Sequence, residues 1–572
     1  MKVLLTTLHA KYVHASLALP CLAASCAGLD GVSMAIREFT INQPKDEVLR
    51  AVIAEEADMV AFSCYIWNIE AILRLASDLK KVMPRTFIIL GGPEVSFGVF
   101  DLLEHNLAVD CIIRGEGEWT FRDCIAALSE GDKVAGLDQS LNDIPGMVFR
   151  GGDELVATAE RMPINELDTI PSPFAAGLVD LAKPLVYYET SRGCPFSCAF
   201  CMSSLEKGVR SFSMGRIEAD LKLLMERGVQ TIKLVDRTFN FDADRANAIW
   251  RFILGANRGS RFHFEIAADL LTENNLLLLE QVPSGMFRFE IGVQSGEEKT
   301  LAQVGRRSDL PTLFANVRRL VENTGVTVHL DLVAGLPHED YEGFLRSLQT
   351  LIEARPQHIQ VEPLKVLKGS GMRRIAVEEG YSFSDTPPYK ILRTPWLTFP
   401  EVCSIEAICR LLDLFYNSGK FDATIKTLAG FGPLAETFAR FAGFRQIEGT
   451  GSHFSREALF ELLWRFAESD LEEDRLPAVR EALCYDYCMV DCPSGKLPVF
   501  FGEAGASTKV ATGELERIVQ QLAIKKGSRV RRFIGKFSRD YRTDPWREKE
   551  LYLLFVYISA PGEGLRVEVL ET

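Results

Sequence analysis

The sequence predicts an α/β protein: two successive strand–helix domains, then a mainly helical α+β third region. Three observations carry that prediction. Short apolar runs alternate with helical patterns through residues 1–145, and do so again through 183–385. Beyond residue 386 the periodicity becomes largely helical, with one late strand. A loop with three closely spaced cysteines follows the first strand of the second alternation. The segment between the two alternations, 146–182, is rich in Pro and Gly and reads as an ordered linker with a small hairpin at Met147–Thr158.

A chain of 572 residues has room for three or four domains. Its 47% apolar and 25% charged residues fit an ordinary soluble globular protein. The net charge of -14 disfavours nucleic acid as a bulk partner. Thirteen cysteines scattered through so long a chain favour a reducing cytoplasm, with metal or thiol chemistry rather than disulfides. The start, Met1–Thr7, reads as a first strand and not as a signal peptide. No uninterrupted apolar run approaches the ~20 residues of a membrane span.

In the first alternation the expected strands are Val3–Thr7, Ser33–Glu38, Met59–Cys64, Thr86–Leu90 and Cys111–Arg114. Helices are expected near Ser16–Ala27, Asp46–Glu55, Asn68–Lys81, Val99–Glu104 and Glu118–Ser129. This order predicts a doubly wound parallel sheet, whose ligand sits beyond the carboxyl ends of the strands. Those ends carry Tyr12, then Ser63, Tyr65, Trp67 and Asn68, then Gly91-Gly92-Pro93-Glu94, then Gly115-Glu116. Glycines there let a bulky ligand approach the backbone, and Tyr65 and Trp67 offer flat apolar cover. No Gly-x-Gly-x-x-Gly follows the first strand, so a nucleotide or flavin is the weaker reading.

The cysteine loop is Thr190-Ser191-Arg192-Gly193-Cys194-Pro195-Phe196-Ser197-Cys198-Ala199-Phe200-Cys201. Thiolates ligate iron–sulfur clusters, and three of them hold three irons of a cubane, leaving the fourth open to an outside ligand. The competing readings are three buried thiols, or a zinc site without a visible fourth ligand. Phe200 offers an aromatic face beside the last cysteine. Six strands are expected in this domain: Leu185–Thr190, Gln230–Asp236, Arg261–Ala267, Met286–Val293, Val326–Val333 and His358–Val366. Six units suit an open, partial (β/α)6 barrel better than a closed eight-unit one.

The cysteine loop resembles the signature of the radical S-adenosylmethionine (SAM) enzymes, in which SAM chelates the open iron. Later strand ends resemble that family's motifs in the same order: Leu234–Asn240, Glu290–Gly296, Asp331–Pro337 and Pro363–Gly369. The resemblance implies a [4Fe-4S] cluster on Cys194, Cys198 and Cys201. It implies SAM contacts from Phe200, Gln294, Ser295, Gly335, Leu336 and Val366. Glu265 and Arg306 either pair with the charged end of SAM or form salt bridges at the barrel mouth. Asp236 either faces the substrate or caps the next helix, and His338 and Glu339 are expected at the surface.

The first domain resembles the Rossmann-like cobalamin-binding domain that precedes many radical SAM domains. Its Gly91–Glu94 and Arg114–Glu118 segments look like that domain's recurring loops. The histidine loop of classical cobalamin modules is missing, and neither His9 nor His14 has its context. A bound cobalamin is therefore expected to have no histidine beneath cobalt.

The implied activity is methylation of an unactivated carbon of a small molecule, with methylcobalamin as donor and a 5′-deoxyadenosyl radical formed from SAM. An electron donor such as flavodoxin or ferredoxin is implied. The rivals are a radical cyclase or rearrangement enzyme on the same scaffold, a corrinoid or redox sensor without turnover, and an RNA-modifying enzyme.

Residues 386–572 resemble an uncharacterised extension of some cobalamin-type radical SAM proteins. Helices are expected at Ile405–Ser418, Pro433–Phe441, Ser455–Ser469, Leu476–Cys488 and Thr512–Leu522, with a strand at Glu550–Ile558. Cys484, Cys488 and Cys492 recur at helical spacing, which favours buried thiols over a second cluster. Lys525–Arg547 holds nine Lys or Arg against two Asp, read as a solvated basic face balancing an acidic protein.

Overall fold

The computed structural model describes residues 1–130, 137–152, 154–206, 208–448, 454–494, 497–501, 524, 527–560 and 564–571. Two compact units emerge. The first comprises 1–341, 354–356 and 363–402; the second comprises 342–353, 357–362 and 403–572.

The first unit opens with strands β1 (Lys2–His9), β2 (Ser33–Thr40), β3 (Met59–Ser63), β4 (Phe87–Gly91) and β5 (Cys111–Ile113). They pair in parallel in the order β2-β1-β3-β4-β5. Between them run helices α1 (Ala18–Ser25), α2 (Lys45–Ile53), α3 (Ile69–Val82) and α4 (Val99–His105), and α5 (Gly117–Glu130) follows β5. The central strands are buried on both faces, so they read as apolar runs rather than as alternating patterns. One face packs Leu4, Val60 and Ile88 against α2, α3 and α4; the other packs Leu5, Ala61 and Ile89 against α1 and α5. The expected linker hairpin forms as β6 (Met147–Gly151) and β7 (Glu154–Ala157). It does not stand apart: β6 pairs antiparallel with β5, so the sheet has seven strands and runs past residue 145.

The second alternation begins with β8 (Leu185–Tyr188). A small hairpin, β9 (Ser191–Cys194) and β10 (Gly208–Ser211), then carries the cysteine loop. Strands β11 (Thr231–Leu234), β12 (Arg261–Ile266), β13 (Phe287–Gln294) and β14 (Thr327–Ala334) follow, parallel in the order β8-β11-β12-β13-β14. A further strand, β15 (His358–Pro363), completes the six expected from the sequence. The short strands β16 (Ser382–Phe383) and β17 (Ile391–Arg393) pair antiparallel and shape a strap after it.

The second unit is helical first. Helices Asp422–Ala429 and Leu476–Val490 pack together, with Phe421, Phe441, Phe460 and Phe466 stacked in the core. A three-stranded antiparallel sheet follows: β18 (Arg529–Asp540), β19 (Arg547–Ser559) and β20 (Arg566–Glu571). Only β19 was expected. The basic stretch turns out to be mostly β18, whose Lys536 and Arg539 pair with Glu550 and Glu548 of the neighbouring strand. The expected helix Thr512–Leu522 and residues Lys525 and Lys526 lie outside the described residues.

Candidate functional site

The cysteine loop is pinned at its start. Asp236, fully buried at the end of β11, accepts hydrogen bonds from Thr190 N at 3.0 Å and from the Thr190 and Ser191 hydroxyls. Arg245 Nη2 holds Thr190 O at 2.8 Å. Asp236 thus serves the loop's geometry and does not line the cavity beside it. The expectation that it faces a substrate is corrected. Gly193 has φ +90, and a Cβ there would lie 2.1 Å from Gly208 O, so no other residue fits the hairpin. Further along, Ala199 N donates to Val304 O at 2.8 Å, and Met372 N to Ala199 O at 2.7 Å.

These restraints bring Cys194, Cys198 and Cys201 to one cavity of about 200 Å³. Its walls include Phe196, Phe200, Glu265, Glu290, Gln294, Arg306 and Asp331. Among the described residues, no three His, Cys, Asp or Glu side chains converge as a single ion requires. A cubane cluster would take each thiolate on a different iron, so the three sulfurs need not converge on one point. Arg306 places its guanidinium 5.3 Å from the Phe196 ring and Nη1 3.9 Å from Cys198 Sγ. Its buried Nε has no hydrogen-bond partner, an orphaned donor that suits an anionic ligand such as a carboxylate. Burial pushes the Cys198 thiol up, and Arg306 pulls it back.

Below lies a charged floor of which the sequence reading named only Glu265, as a SAM partner or a salt bridge, and missed Lys233, His263 and Glu290. Lys233 Nζ reaches Glu290 at 3.0 Å and Glu265 at 3.5 Å, and His263 Nε2 lies 2.8 Å from Glu290. Burial raises Glu265 above the usual carboxylate range. Burial acts likewise on Glu290, but His263 and Lys233 outweigh it and hold that carboxyl far below. Period-two alternation along strands β11 to β13 could have flagged these inward charges.

The other expected SAM contacts divide. Gln294, at φ +73, lines the cavity. Ser295 does not: its hydroxyl is buried and donates to Glu339 Oε1 at 2.6 Å. Glu339 is therefore buried, not a surface acid, and the His338 ring packs tilted against Trp396, centroids 4.6 Å apart. Gly335, Leu336 and Val366 also lie off the cavity wall, and two of them hold the strap: Tyr381 Oη donates to Gly335 O at 3.1 Å, and Val366 N to Tyr389 O at 2.9 Å.

A second cavity, about 170 Å³, opens at the carboxyl ends of the first sheet, where the strand order reverses between β1 and β3. Ser63, Tyr65, Gly91, Gly92, Pro93 and Gly115 line it, as expected. So do Gly117 and Glu118 of the Arg114–Glu118 segment, and apolar residues that the sequence reading did not single out: Leu5, Leu19, Leu22, Ala61, Ile89, Ile113 and Phe121. Gly92 has φ +111, and a Cβ there would meet Cys64 O at 2.5 Å. The apolar walls suit a flat heteroaromatic group.

Five expected contacts are elsewhere. Tyr12 is 74% exposed, under Lys183. Trp67 stacks on Tyr65 at 4.4 Å, outside the wall. Asn68 is buried and ties Leu8 O and Ser63 O. Glu94 is buried, accepts the Tyr389 hydroxyl and pairs with Lys368 Nζ at 3.2 Å. Glu116 accepts from Arg192, Arg210 and Ile164 N. Neither His9, paired with Glu38, nor His14, bonded to Tyr187, lines this cavity.

Comparison with known proteins bears on both cavities. The family model described as B12 binding domain matches residues 3–125, and that of the Radical SAM superfamily matches 188–351. The chain is a cobalamin-binding-domain radical SAM protein. Its extension matches a protein of unknown function (DUF4080) over 378–544. Curated relatives of this radical SAM protein include the cobalamin-dependent radical SAM methyltransferase TokK of Streptomyces tokunonensis. The two are 25% identical over 64% of this chain and 55% of that one. The hopanoid C-3 methylase of Methylococcus capsulatus is 28% identical over 52% and 57%. The chain thus spans little more than half the length of these relatives. Two solved structures share the fold. The cobalamin-dependent radical SAM enzyme OxsB, with aqua-cobalamin and SAM bound, gives TM-score 0.57 at 14% identity over 85% of this chain and 83% of that one. The radical SAM methyltransferase TsrM from Kitasatospora setae, with tryptophan and a SAM analogue bound, gives 0.55 at 16% over 68% and 80%.

Proposed function

We propose that the protein is an enzyme that methylates an unactivated carbon of a small molecule, using a [4Fe-4S] cluster, SAM and cobalamin. The observation that carries this reading is the pair of cavities in one compact unit: one polar, with three cysteines and Arg306, and one apolar, at the switch point of the first sheet. The domains follow as 1–145 for cobalamin, 183–385 for SAM and 386–572 for the extension, with the 146–182 segment adding its hairpin to the first sheet.

Cys194, Cys198 and Cys201 would hold the cluster, and Phe200, Gln294, Glu265 and Arg306 would hold SAM. The corrinoid would be held by the walls of the apolar cavity. Bound together, these groups supply hydrogen abstraction and methyl transfer. The chain's own part is placement. Arg306 offers charge to a carboxylate, the Lys233–Glu290–His263 floor fixes polarity beneath the cysteines, and the buried aromatics keep water out. The relatives named as methyltransferases support methylation over cyclisation. A flavodoxin or ferredoxin would deliver the electron.

The test is anaerobic incubation of the reconstituted protein with cobalamin, SAM and reductant. Release of 5′-deoxyadenosine, with a product heavier by one methyl group, is expected. Deoxyadenosine with no methyl gain would point to a cyclase or rearrangement, and none at all to a binding protein.

A further inference from the structure

Two residues before the first cysteine, Arg192 meets three carboxylates. Its Nη1 donates to Glu116 Oε1 at 3.1 Å, and its Nη2 to Glu118 Oε1 and Glu189 Oε1, each at 2.6 Å. Nε lies 3.2 Å from both Glu189 oxygens. The guanidinium is 14% exposed and the Glu118 side chain 8%. Glu189 precedes the cysteine loop. Glu116 belongs to the loop after β5 and Glu118 to the first turn of α5, and Glu118 also lines the apolar cavity. Arg210, opposite Arg192 in the hairpin register, reaches Glu116 as well, at 3.0 Å.

One planar side chain therefore bridges the wall of one cavity and the backbone of the other. The loop's other anchors, Asp236, Arg245, Val304 and Met372, all lie in the second alternation and are not among the residues that line the apolar cavity. A guanidinium has five donors in a rigid fork, so a shift of one carboxylate reorients the whole group. Buried charges at these distances interact far more strongly than exposed ones.

We propose that Arg192 is a positioning residue that couples the two sites, so that a corrinoid against Glu118 changes the setting of the cluster loop. This rests on the function proposed above. Coupling between two binding events is reciprocal, so an assembled cluster tightens corrinoid binding by the same factor.

The test uses the full chain, with and without its reconstituted cluster, and aquacobalamin as the probe. The parent should bind aquacobalamin about tenfold more tightly once the cluster is present, a typical size for coupling between sites. Adding aquacobalamin should also shift the electron spin resonance spectrum of the reduced cluster. Arg192→Gln should bring the factor below about twofold and abolish the spectral shift. Arg192→Lys should recover part of both. Glu94→Gln loosens a different fastening, to Tyr389 and Lys368, and should leave the factor intact. Should Arg192→Gln fail to retain iron, Glu118→Gln, which spares the Arg192–Glu189 pair, should show the same loss of coupling. A parent-like factor in iron-loaded Arg192→Gln or in Glu118→Gln overturns the proposal, as does an equal loss in Glu94→Gln. No corrinoid binding by the parent would sink the functional reading itself, a separate and recognisable result.

Discussion

The cysteine cavity and the sheet cavity both lie at the carboxyl ends of parallel strands, yet they are built from opposite materials. The cysteine cavity has charged walls: Glu265, Glu290, Asp331 and Arg306 beside three thiols. The sheet cavity is walled by Leu, Ile, Ala, Phe and glycine, with Glu118 as its charged member. Topology supplies the same kind of opening twice, and side chains decide what enters. A charged wall holds by directed bonds, so losing one group should abolish a function. An apolar wall holds by shape, so it fails only when the space is filled.

The largest effect should come from removing the directed bonds. Changing Cys194, Cys198 and Cys201 together to Ala should take reconstituted iron from about four per chain to near zero and end 5′-deoxyadenosine release. Iron retained at the parent level would break the comparison on its polar side. Next, Leu22→Trp on α1 fills the apolar cavity. Aquacobalamin affinity should fall at least about tenfold, roughly 1.4 kcal/mol, while iron content stays at the parent value. Coincident loss of both would show that the sites are not separately built.

The other cysteine triplet provides a contrast in the second unit. Cys484 and Cys488 sit buried in the Leu476–Val490 helix and Cys492 just beyond it; Cys484 Sγ faces Phe500 O at 3.6 Å, and burial pushes its thiol up to about 12. Changing all three to Ser should cost about 1–3 kcal/mol at each site, seen as a lower urea midpoint, with iron near about four per chain. A halving of iron would make them ligands after all.

The last expected effect concerns acids. Glu290 is held ionised by Lys233 and His263, whereas burial lifts Asp486 to about 7 despite hydrogen bonds from Thr424 Oγ1, Thr424 N and Ala423 N at 2.7, 2.8 and 3.1 Å. A folded pKa raised above the unfolded value of about 3.9 favours the protonated fold. Stability from Asp486 should be full below about pH 4, decline as pH rises through about 7, and then level off. A decline of about 4 kcal/mol in the second unit's unfolding free energy is expected, about 1.36 kcal/mol for each of the roughly three units between the two pKa values, and Asp486→Asn should flatten it. A parent profile that rises with pH over that window would reverse the assignment.

What the sequence disclosed tracks how local each signal is. The cysteine loop was legible because its spacing, Gly193 and Phe200 all lie within twelve residues. The parallel sheet was legible from apolar runs that alternate with helical patterns. The wall of the sheet cavity was not, because Leu19, Leu22 and Phe121 are apolar whether they face a ligand or a core. Glu94, Glu116 and Ser295 were misread for another reason. Acids and hydroxyls in glycine-rich loops resemble ligand contacts until their distant partners are known, and Glu94 meets Tyr389 across 295 positions. Asp236 shows the same limit, since its buried clamp on Thr190 and Ser191 leaves no mark on its own neighbours in sequence.

One feature of the cysteines bears on how the protein ages in air. Of thirteen thiols, nine are buried, and Cys194, Cys201, Cys403 and Cys409 are partly open. Oxidation needs a reachable thiolate, and deep burial keeps sulfur protonated and out of contact. Two of the four partly open sulfurs, Cys194 and Cys201, belong to the cysteine loop. Damage would therefore concentrate at the one place where sulfur is chemically active, while most of the chain's thiols endure exposure unchanged and the fold outlives its activity.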